Sequence, residues 1–395
     1  MKRVAILGGG PAGAFAAGQL ASAGFQVQLF DDKLAWEKPC GGGVTYKAYS
    51  RYPFLMENPA PKRIVRETVL GAPGAGEVRL NLDHALAIYS RFDLNNLLLE
   101  RAGQAGAAIE KARVLEMTRH GSLWRLRTSA GAATADFCIV ATGARHSLRE
   151  AGTGLGPRDA MAAMGYYVPG DQTRIDIQFL PGLEGYAWVF PRQGHLAVGI
   201  CGKGEPASGL RRRLDDFMAA KSLSLKDARF YSHLLPSLDA ASWRGRRVAG
   251  EGWMAVGDAA GLVDPITGEG IYYALRSAEL AAQALASGPP SPDGLPAHYR
   301  QLLRRDFMAG LEVGSRIARR FFLGRFLGGS VPARMVQLTR RSPRLAAVLQ
   351  DLFSGQQPYL GLKQRLLDNA GGSLYDIGLS LGFNRPAQRR ATARP

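Results

Sequence analysis

Two glycine-rich segments, far apart in the chain, hold residue types that could bind a dinucleotide. The first, Gly8-x-Gly10-x-x-Gly13, follows the apolar run Val4–Leu7 and opens a small-residue stretch from Ala12 to Ala23. After a strand and before a helix, Gly8 permits a tight turn, Gly10 lets backbone approach a pyrophosphate, and Gly13 lets the helix lie close on a sheet. Pro11 and Ala12 begin that helix, whose free N–H groups and positive end suit phosphate. Asp31 ends the next apolar run, Gln26–Phe30, where an acid can accept hydrogen bonds from ribose hydroxyls and would repel a 2′-phosphate. The second segment is Gly257-Asp258, after Trp253–Val256, followed by Gly268-Glu269-Gly270-Ile271. Asp258 can meet a ribityl chain. A helix starting at Ile271 can aim its N-terminus at the N1–C2=O edge of a flavin, which favours the reduced anion. A nicotinamide dinucleotide needs only the first segment, so the pair points to FAD, held non-covalently.

These residues need a framework. At 395 residues, 46% hydrophobic and 21% charged, the chain suits two or three structural units rather than one small core. Strands at Val4–Leu7, Gln26–Phe30, Phe137–Ala141 and Trp253–Val256, with helices at Ala12–Ala23, Arg91–Gly106 and Ile271–Ala286, make a Rossmann-like α/β unit. The apolar side of the Arg91 helix is read as Phe92, Leu94, Leu97, Leu98, Leu99 and Ala102. Between Asp159 and Trp243 the texture changes. Tyr166–Val168, Arg174–Leu180, Tyr186–Phe190 and His195–Ile200 look like antiparallel strands joined by Gly/Pro turns. The expected organisation is an FAD-binding domain over 1–158, with an excursion to a substrate domain around 45–85. An inserted antiparallel-sheet substrate domain follows over 159–243, the FAD-binding domain resumes over 244–288, and a helical C-terminal region covers 289–395. Gly288–Pro292 reads as a linker and Arg385–Pro395 as a frayed tail.

Three further segments make the chain resemble the geranylgeranyl reductases, within the FAD-dependent family that also contains aromatic-ring hydroxylases. Lys38-Pro39-Cys40-Gly41-Gly42-Gly43-Val44 is similar to that family's Lys-x-Cys-Gly-Gly-Gly segment. Gly185-Tyr186-Ala187-Trp188-Val189-Phe190-Pro191 is similar to its Tyr-x-Trp-x-Phe-Pro strand, and Gly355-Gln356-Gln357-Pro358-Tyr359 to its C-terminal Gly-x-x-x-Tyr element. Where hydroxylases usually carry Asp-Gly, this chain has Thr142-Gly143, with Ser147 and Arg149 fitting the rest. That departure weakens a hydroxylase reading and leaves the pyridine-nucleotide contact open. A halogenase ranks lower, since Trp-x-Trp-x-Ile-Pro is absent. The resemblance implies that Arg91 contacts FAD, and Val114, Thr142 and Gly143 complete the expected cofactor set with Cys40, Gly41, Gly42 and Gly43.

Three glycines after Cys40 would let backbone approach a flat ring. On a strand, Tyr186, Trp188 and Phe190 share one face, as an aromatic wall for a long apolar substrate or as plain core packing. Cys40, Tyr186 and Trp188 are the candidate catalytic residues. As proton donor, Cys40, Tyr186 and a bound water stay unranked, and Cys40 also reads as a plain buried thiol. The activity implied is saturation of carbon–carbon double bonds of a polyprenyl lipid or prenyl diphosphate by hydride from reduced flavin. NADPH or reduced ferredoxin would supply the electrons. The alternatives are an FAD-dependent monooxygenase acting on an apolar substrate, and a flavin-containing electron-transfer or binding protein.

The remaining composition bounds partners. Cys40, Cys138 and Cys201 are too few and too scattered for a disulfide framework, and no His or Cys spacing suggests a metal. The net charge is +17, part of it gathered between Arg300 and Arg344. There Arg319, Arg320 and Arg325 interleave with Phe321, Phe322, Leu323, Phe326 and Leu327. Such a stretch suits an anionic membrane surface or is a solvated helical face. Nucleic acid is not expected, because no recognition module accompanies the charge. The opening apolar run stops at Gly8 and no run reaches about 18 apolar residues. The expected location is the cytoplasm, with peripheral contact at the inner face of the membrane.

Overall fold

The computed structural model describes residues 1–145, 148, 154–288 and 294–373. Ser147, Arg149, most of the linker and the tail lie outside these residues. Two sheets organise the rest. The six-stranded sheet runs in the order 249–250, 253–255, 137–140, 3–7, 26–30, 108–110. Its inner strands are short, parallel and apolar, with Leu7 paired to both Val140 and Phe30. Such strands are buried on both faces and so read as continuous apolar runs. The helix Pro11–Ser22 packs against the helices Arg91–Gln104 and Ile271–Ala286.

Sterics at the first turn explain its glycines. Gly8 has φ +113°, and a Cβ on Gly13 would sit 1.8 Å from the Gly8 carbonyl oxygen. No side chain fits there. The Arg91 helix is capped by Ser90, whose Oγ accepts from Asp93 N at 3.0 Å. It buries Leu94, Asn95, Leu98, Leu99 and Ala102, but Phe92 is 51% exposed, contrary to the apolar face read from the sequence. Phe92 lies on the opposite side of the first turn, and burial follows the 3.6-residue period rather than residue type.

The eight-stranded sheet runs 229–236, 160–169, 195–203, 184–191, 174–179, 62–72, 76–89, 43–44. Its strands at 160–169, 184–191 and 195–203 pair antiparallel, but Arg174–Phe179 lies parallel to Lys62–Ala72. Gly/Pro turns between neighbouring strands imply antiparallel pairs only. Strands from 43–89 complete the sheet, and a long crossover allows the parallel pairing. A helix at Ala207–Ala220 and a three-stranded sheet at 114–120, 123–128 and 131–135 were not anticipated. Beyond 294 the described chain is helical apart from a small hairpin, Arg325–Phe326 with Gly329–Ser330.

Candidate active site

Two cavities meet between the sheets. One, of about 510 Å3, is lined by both glycine-rich segments: Gly8, Gly10, Pro11, Ala12 and Asp31 from the first, and Asp258, Gly268, Gly270 and Ile271 from the second. Arg91, Val114, Thr142 and Gly143 line it too. A Cβ on Gly10 would meet no protein atom within 4 Å, so that glycine faces open space where a pyrophosphate needs close backbone. Asp31 is already engaged: Oδ2 accepts from Gly9 N at 2.7 Å, and Oδ1 from Lys33 N and Leu34 N at 2.8 and 2.6 Å. A carboxylate has further lone pairs, so it can both shape the loop and accept from a ribose. Buried Arg91 donates from Nη2 to Asn95 Oδ1 at 3.3 Å, while its Nε has no partner. His233 Nε2 is likewise buried without one. Burial, then neighbouring Lys38, lowers that imidazole to about 3, so it is neutral. Unpartnered buried polar atoms at a cavity wall are costly unless a ligand uses them. With the open Gly10 turn, they make this donor set fit FAD.

Asp258 accepts from Lys38 Nζ at 2.9 Å. Burial alone would raise its pKa, but Lys38 outweighs that and leaves the carboxyl below its ordinary value, hence ionised. The position is suited to ribityl hydroxyls. Not every expected cofactor residue faces this cavity. Gly13 lies behind the turn. Gly257, at φ +58°, is tied through its N–H to Ser277 Oγ at 2.9 Å. Gly41, Gly42 and Gly43 line the second cavity instead.

That second cavity, of about 340 Å3, is mostly apolar, within the roughly 300–1,000 Å3 range of small-molecule sites. The strand Glu184–Pro191 turns Tyr186, Trp188 and Phe190 into it, as the period of two requires. The Tyr186 and Trp188 rings meet edge to face at 5.9 Å. Phe190 lies under the glycine loop, about 3.3 Å from where a Cβ on Gly41 or Gly43 would be. Ile175, Ile177 and Phe179 add a second strand face, and Leu311, Ile317, Phe321 and Leu352 close it from the C-terminal helices. Tyr359, from the Gly-x-x-x-Tyr element, donates to Asp264 Oδ1 at 2.7 Å and brings that segment onto the cavity.

Pro39, Cys40, His233, Leu235, Gly268, Gly270 and Ile271 line both cavities. Cys40 is half-buried there, its Sγ accepting from Gly42 N at 3.3 Å. Its carbonyl accepts from Arg192 Nη2 at 2.6 Å, and Arg192, 1% exposed, also pairs with Glu37 at 3.1 Å. Arg192 follows the aromatic strand as Phe190-Pro191-Arg192 but belongs to no recognised motif, so sequence reading missed it. Tyr186 donates to the Thr267 carbonyl, and burial drives its pKa well above 10. Also missed was a polar cluster at the flank of the shared wall. Thr45 Oγ1 donates to Glu269 Oε1 at 2.6 Å, and Lys47 Nζ lies 4.2 Å from the centre of the Tyr272 ring. Burial raises Glu269 to about 7 and lowers Lys47. The described residues contain no cluster of three or more metal-ligating side chains.

Comparison with known proteins places this geometry. No family model matches the chain. A geranylgeranyl diphosphate reductase of Synechocystis sp. is 30% identical over 340 residues, covering 77% of this chain and 80% of that protein. A menaquinone reductase of Mycolicibacterium smegmatis is 28% identical over 370 residues, covering 85% and 88%. The solved structure of a geranylgeranyl bacteriochlorophyll reductase-like protein from Thermoplasma acidophilum superposes with a TM-score of 0.76 at 21% identity. It covers 93% of this chain and 98% of its own. Two cavities sharing one wall, the two dinucleotide segments and this likeness agree: the chain belongs to the geranylgeranyl reductase family of FAD-dependent oxidoreductases.

Proposed function

We propose that the protein saturates carbon–carbon double bonds of a polyprenyl substrate, with FAD bound in the first cavity and the prenyl chain in the second. The observation that carries this reading is the wall common to both, where Cys40 and the Gly268–Ile271 turn separate a space lined by both glycine-rich segments from a mostly apolar one. Bound FAD, once reduced, supplies hydride. The chain's own residues do the rest. Gly8, Gly10 and the helix behind them hold the pyrophosphate, and Asp31, Arg91 and Asp258 fix the remaining polar groups. Cys40, on the wall common to both cavities, offers backbone to the ring. Tyr186, Trp188 and Phe190 align the alkene and exclude water. An unconjugated alkene is poorly polarised, so close placement in a dry site is the main help the protein can give. NADPH or reduced ferredoxin feeds the flavin.

Substrate of this kind resides in lipid, and the C-terminal region offers a way to reach it. Leu323, Phe326 and Leu327 are 39%, 52% and 67% exposed, and Arg319, Arg320 and Arg325 are exposed beside them. Phe321 and Phe322 turn inward, so only part of the Phe/Leu cluster read from sequence is free to meet a membrane. The helix Ala309–Leu323 both lines the cavity and ends at this surface, which supports peripheral docking on anionic lipid. Among the described residues no helix is long and apolar enough to cross a membrane.

Anaerobic reduction of the yellow protein with dithionite, followed by geranylgeranyl diphosphate or a prenyl quinone, tests the activity. Flavin reoxidation with a gain of two mass units per double bond is expected. Flavin that stays reduced until air is admitted, then yields peroxide or an oxygenated product, would overturn it in favour of a monooxygenase.

A further inference from the structure

Reducing an alkene needs a proton as well as a hydride, and the groups lining the apolar cavity differ sharply in their ability to give one. Three of the four tyrosines are committed, and burial raises the fourth, Tyr273, well above 10. Tyr186 donates to the Thr267 carbonyl, Tyr231 to the Val198 carbonyl at 3.0 Å and Tyr359 to Asp264 at 2.7 Å. Burial drives all three above the ordinary phenol value. His233 is neutral. Asp306 is bound by Arg276. Asp264 Oδ1 is filled by Ile266 N, Thr267 N and Tyr359 Oη, all within 2.9 Å.

Glu269, like Cys40, stands at the shared wall. It sits between Gly268 and Gly270, both of which line the two cavities, while Glu269 lines only the apolar one. Its carboxyl accepts from Thr45 Oγ1 at 2.6 Å. Thr45 closes the loop that starts at Cys40, so one hydrogen bond ties together the two segments forming the shared wall. Resting on the reductase reading above, we infer that Glu269 is the proton donor to the alkene. The alkene gains hydride at one carbon and the Glu269 proton at the other. Its π bond breaks, two C–H bonds form, and the two electrons come from the reduced cofactor, which ends oxidised. Glu269 is left as a carboxylate.

The charged groups around it suit that cycle. Lys47, on the helix Tyr46–Arg51, stands near enough to stabilise the carboxylate, and Asp264 opposes ionisation. Burial is the largest influence and brings the acid to about 7, where one group can both hold and release a proton at neutral pH. Lys47 in turn contacts Tyr273 Oη at 3.4 Å, and as an ammonium group it can return the proton.

The test uses the full FAD-loaded chain as wild type, Glu269→Gln and Thr45→Val. Anaerobic single-turnover reoxidation by geranylgeranyl diphosphate is followed from about pH 5 to about pH 9. Infrared spectra of the substrate-free proteins are recorded over the same range. Wild type should reoxidise fastest below a midpoint near 7, with a protonated-carboxyl band fading at the same midpoint. Glu269→Gln should lose that band and the pH limb and slow reoxidation by about 100-fold or more, while its flavin spectrum and dithionite reduction stay as in wild type. Thr45→Val removes the hydrogen bond that favours the carboxylate and should move both midpoints to higher pH. A Glu269→Gln rate within about threefold of wild type with the limb retained, or a Thr45→Val midpoint that does not move, overturns the inference while leaving the reductase intact. Wild-type flavin that no prenyl substrate reoxidises overturns the reductase reading and the inference together.

Discussion

Replacing Glu269 by Gln should change how stability depends on pH, and the burial of that carboxyl sets the size. The group has an ordinary value of 4.5 and titrates at about 7 in the folded protein. Below 4.5 both states are protonated and nothing is lost. Between the two values the folded state keeps a proton that the unfolded chain has released, so stability falls as pH rises. Above about 7 both are ionised and the full penalty persists. At about 1.4 kcal/mol per unit, the whole penalty is about 3 kcal/mol, most of it accumulating between pH 5 and pH 8. Gln matches the shape of Glu and carries no titrating proton, so the variant should lack this slope.

With about 2.1 cal/mol/K of unfolding entropy per residue over 395 residues, that difference corresponds to about 3 °C in Tm. Scanning calorimetry of both proteins in equal excess FAD, at pH 5 and pH 8, reads it directly. Other titrating groups and ligand stabilisation are shared and cancel in the difference. The Tm of wild type relative to the variant should fall by about 3 °C on going from pH 5 to pH 8. Parallel pH dependence in the two proteins would refute the perturbed carboxyl, whatever its role in turnover.

Gly10→Ala and Gly13→Ala should part company. A Cβ at Gly10 meets no protein atom within 4 Å, so that variant should keep the Tm of FAD-free wild type yet lose FAD on gel filtration, whereas the 1.8 Å clash at Gly13 should lower the FAD-free Tm as well, by overpacking of about 1–3 kcal/mol. Reversing charge at Arg319, Arg320 and Arg325 together should abolish co-sedimentation with anionic liposomes, since each basic side chain near such a surface contributes about 1 kcal/mol. Sedimentation unaffected by the triple change would remove this surface as the membrane contact.

The α/β unit was legible because its signals are local. The strand Gln26–Phe30 and the helix Ile271–Ala286 have the bounds expected from the sequence, since an apolar run ending in glycine, or a run of small residues after one, states its own limits. The second sheet was legible only in part. Its strands at 174–179 and 62–72 pair across a long stretch of intervening chain. Turn chemistry, which guides local reading, says nothing about a partner that distant. Phe92 shows the same limit inside one helix. A Phe reads as core by type, but its side of the first turn faces away from the sheet.

The site divides along the same line. Gly8, Gly10, Asp31 and Asp258 were readable because a dinucleotide imposes a fixed order of turn, helix and acid on continuous chain. Cys40 and the Tyr186–Phe190 strand were readable through resemblance, and the structure adds that they line one space. Glu269 was read only as the middle of a Gly-Glu-Gly turn, its flanking glycines taking all the meaning. What makes it unusual is the partial burial of its carboxyl at the cavity wall, with Thr45 and Lys47 brought there from a distant segment. An acidity set by enclosure is a property of the assembled cavity. A single sequence names the acid, and only the fold shows what raises its pKa.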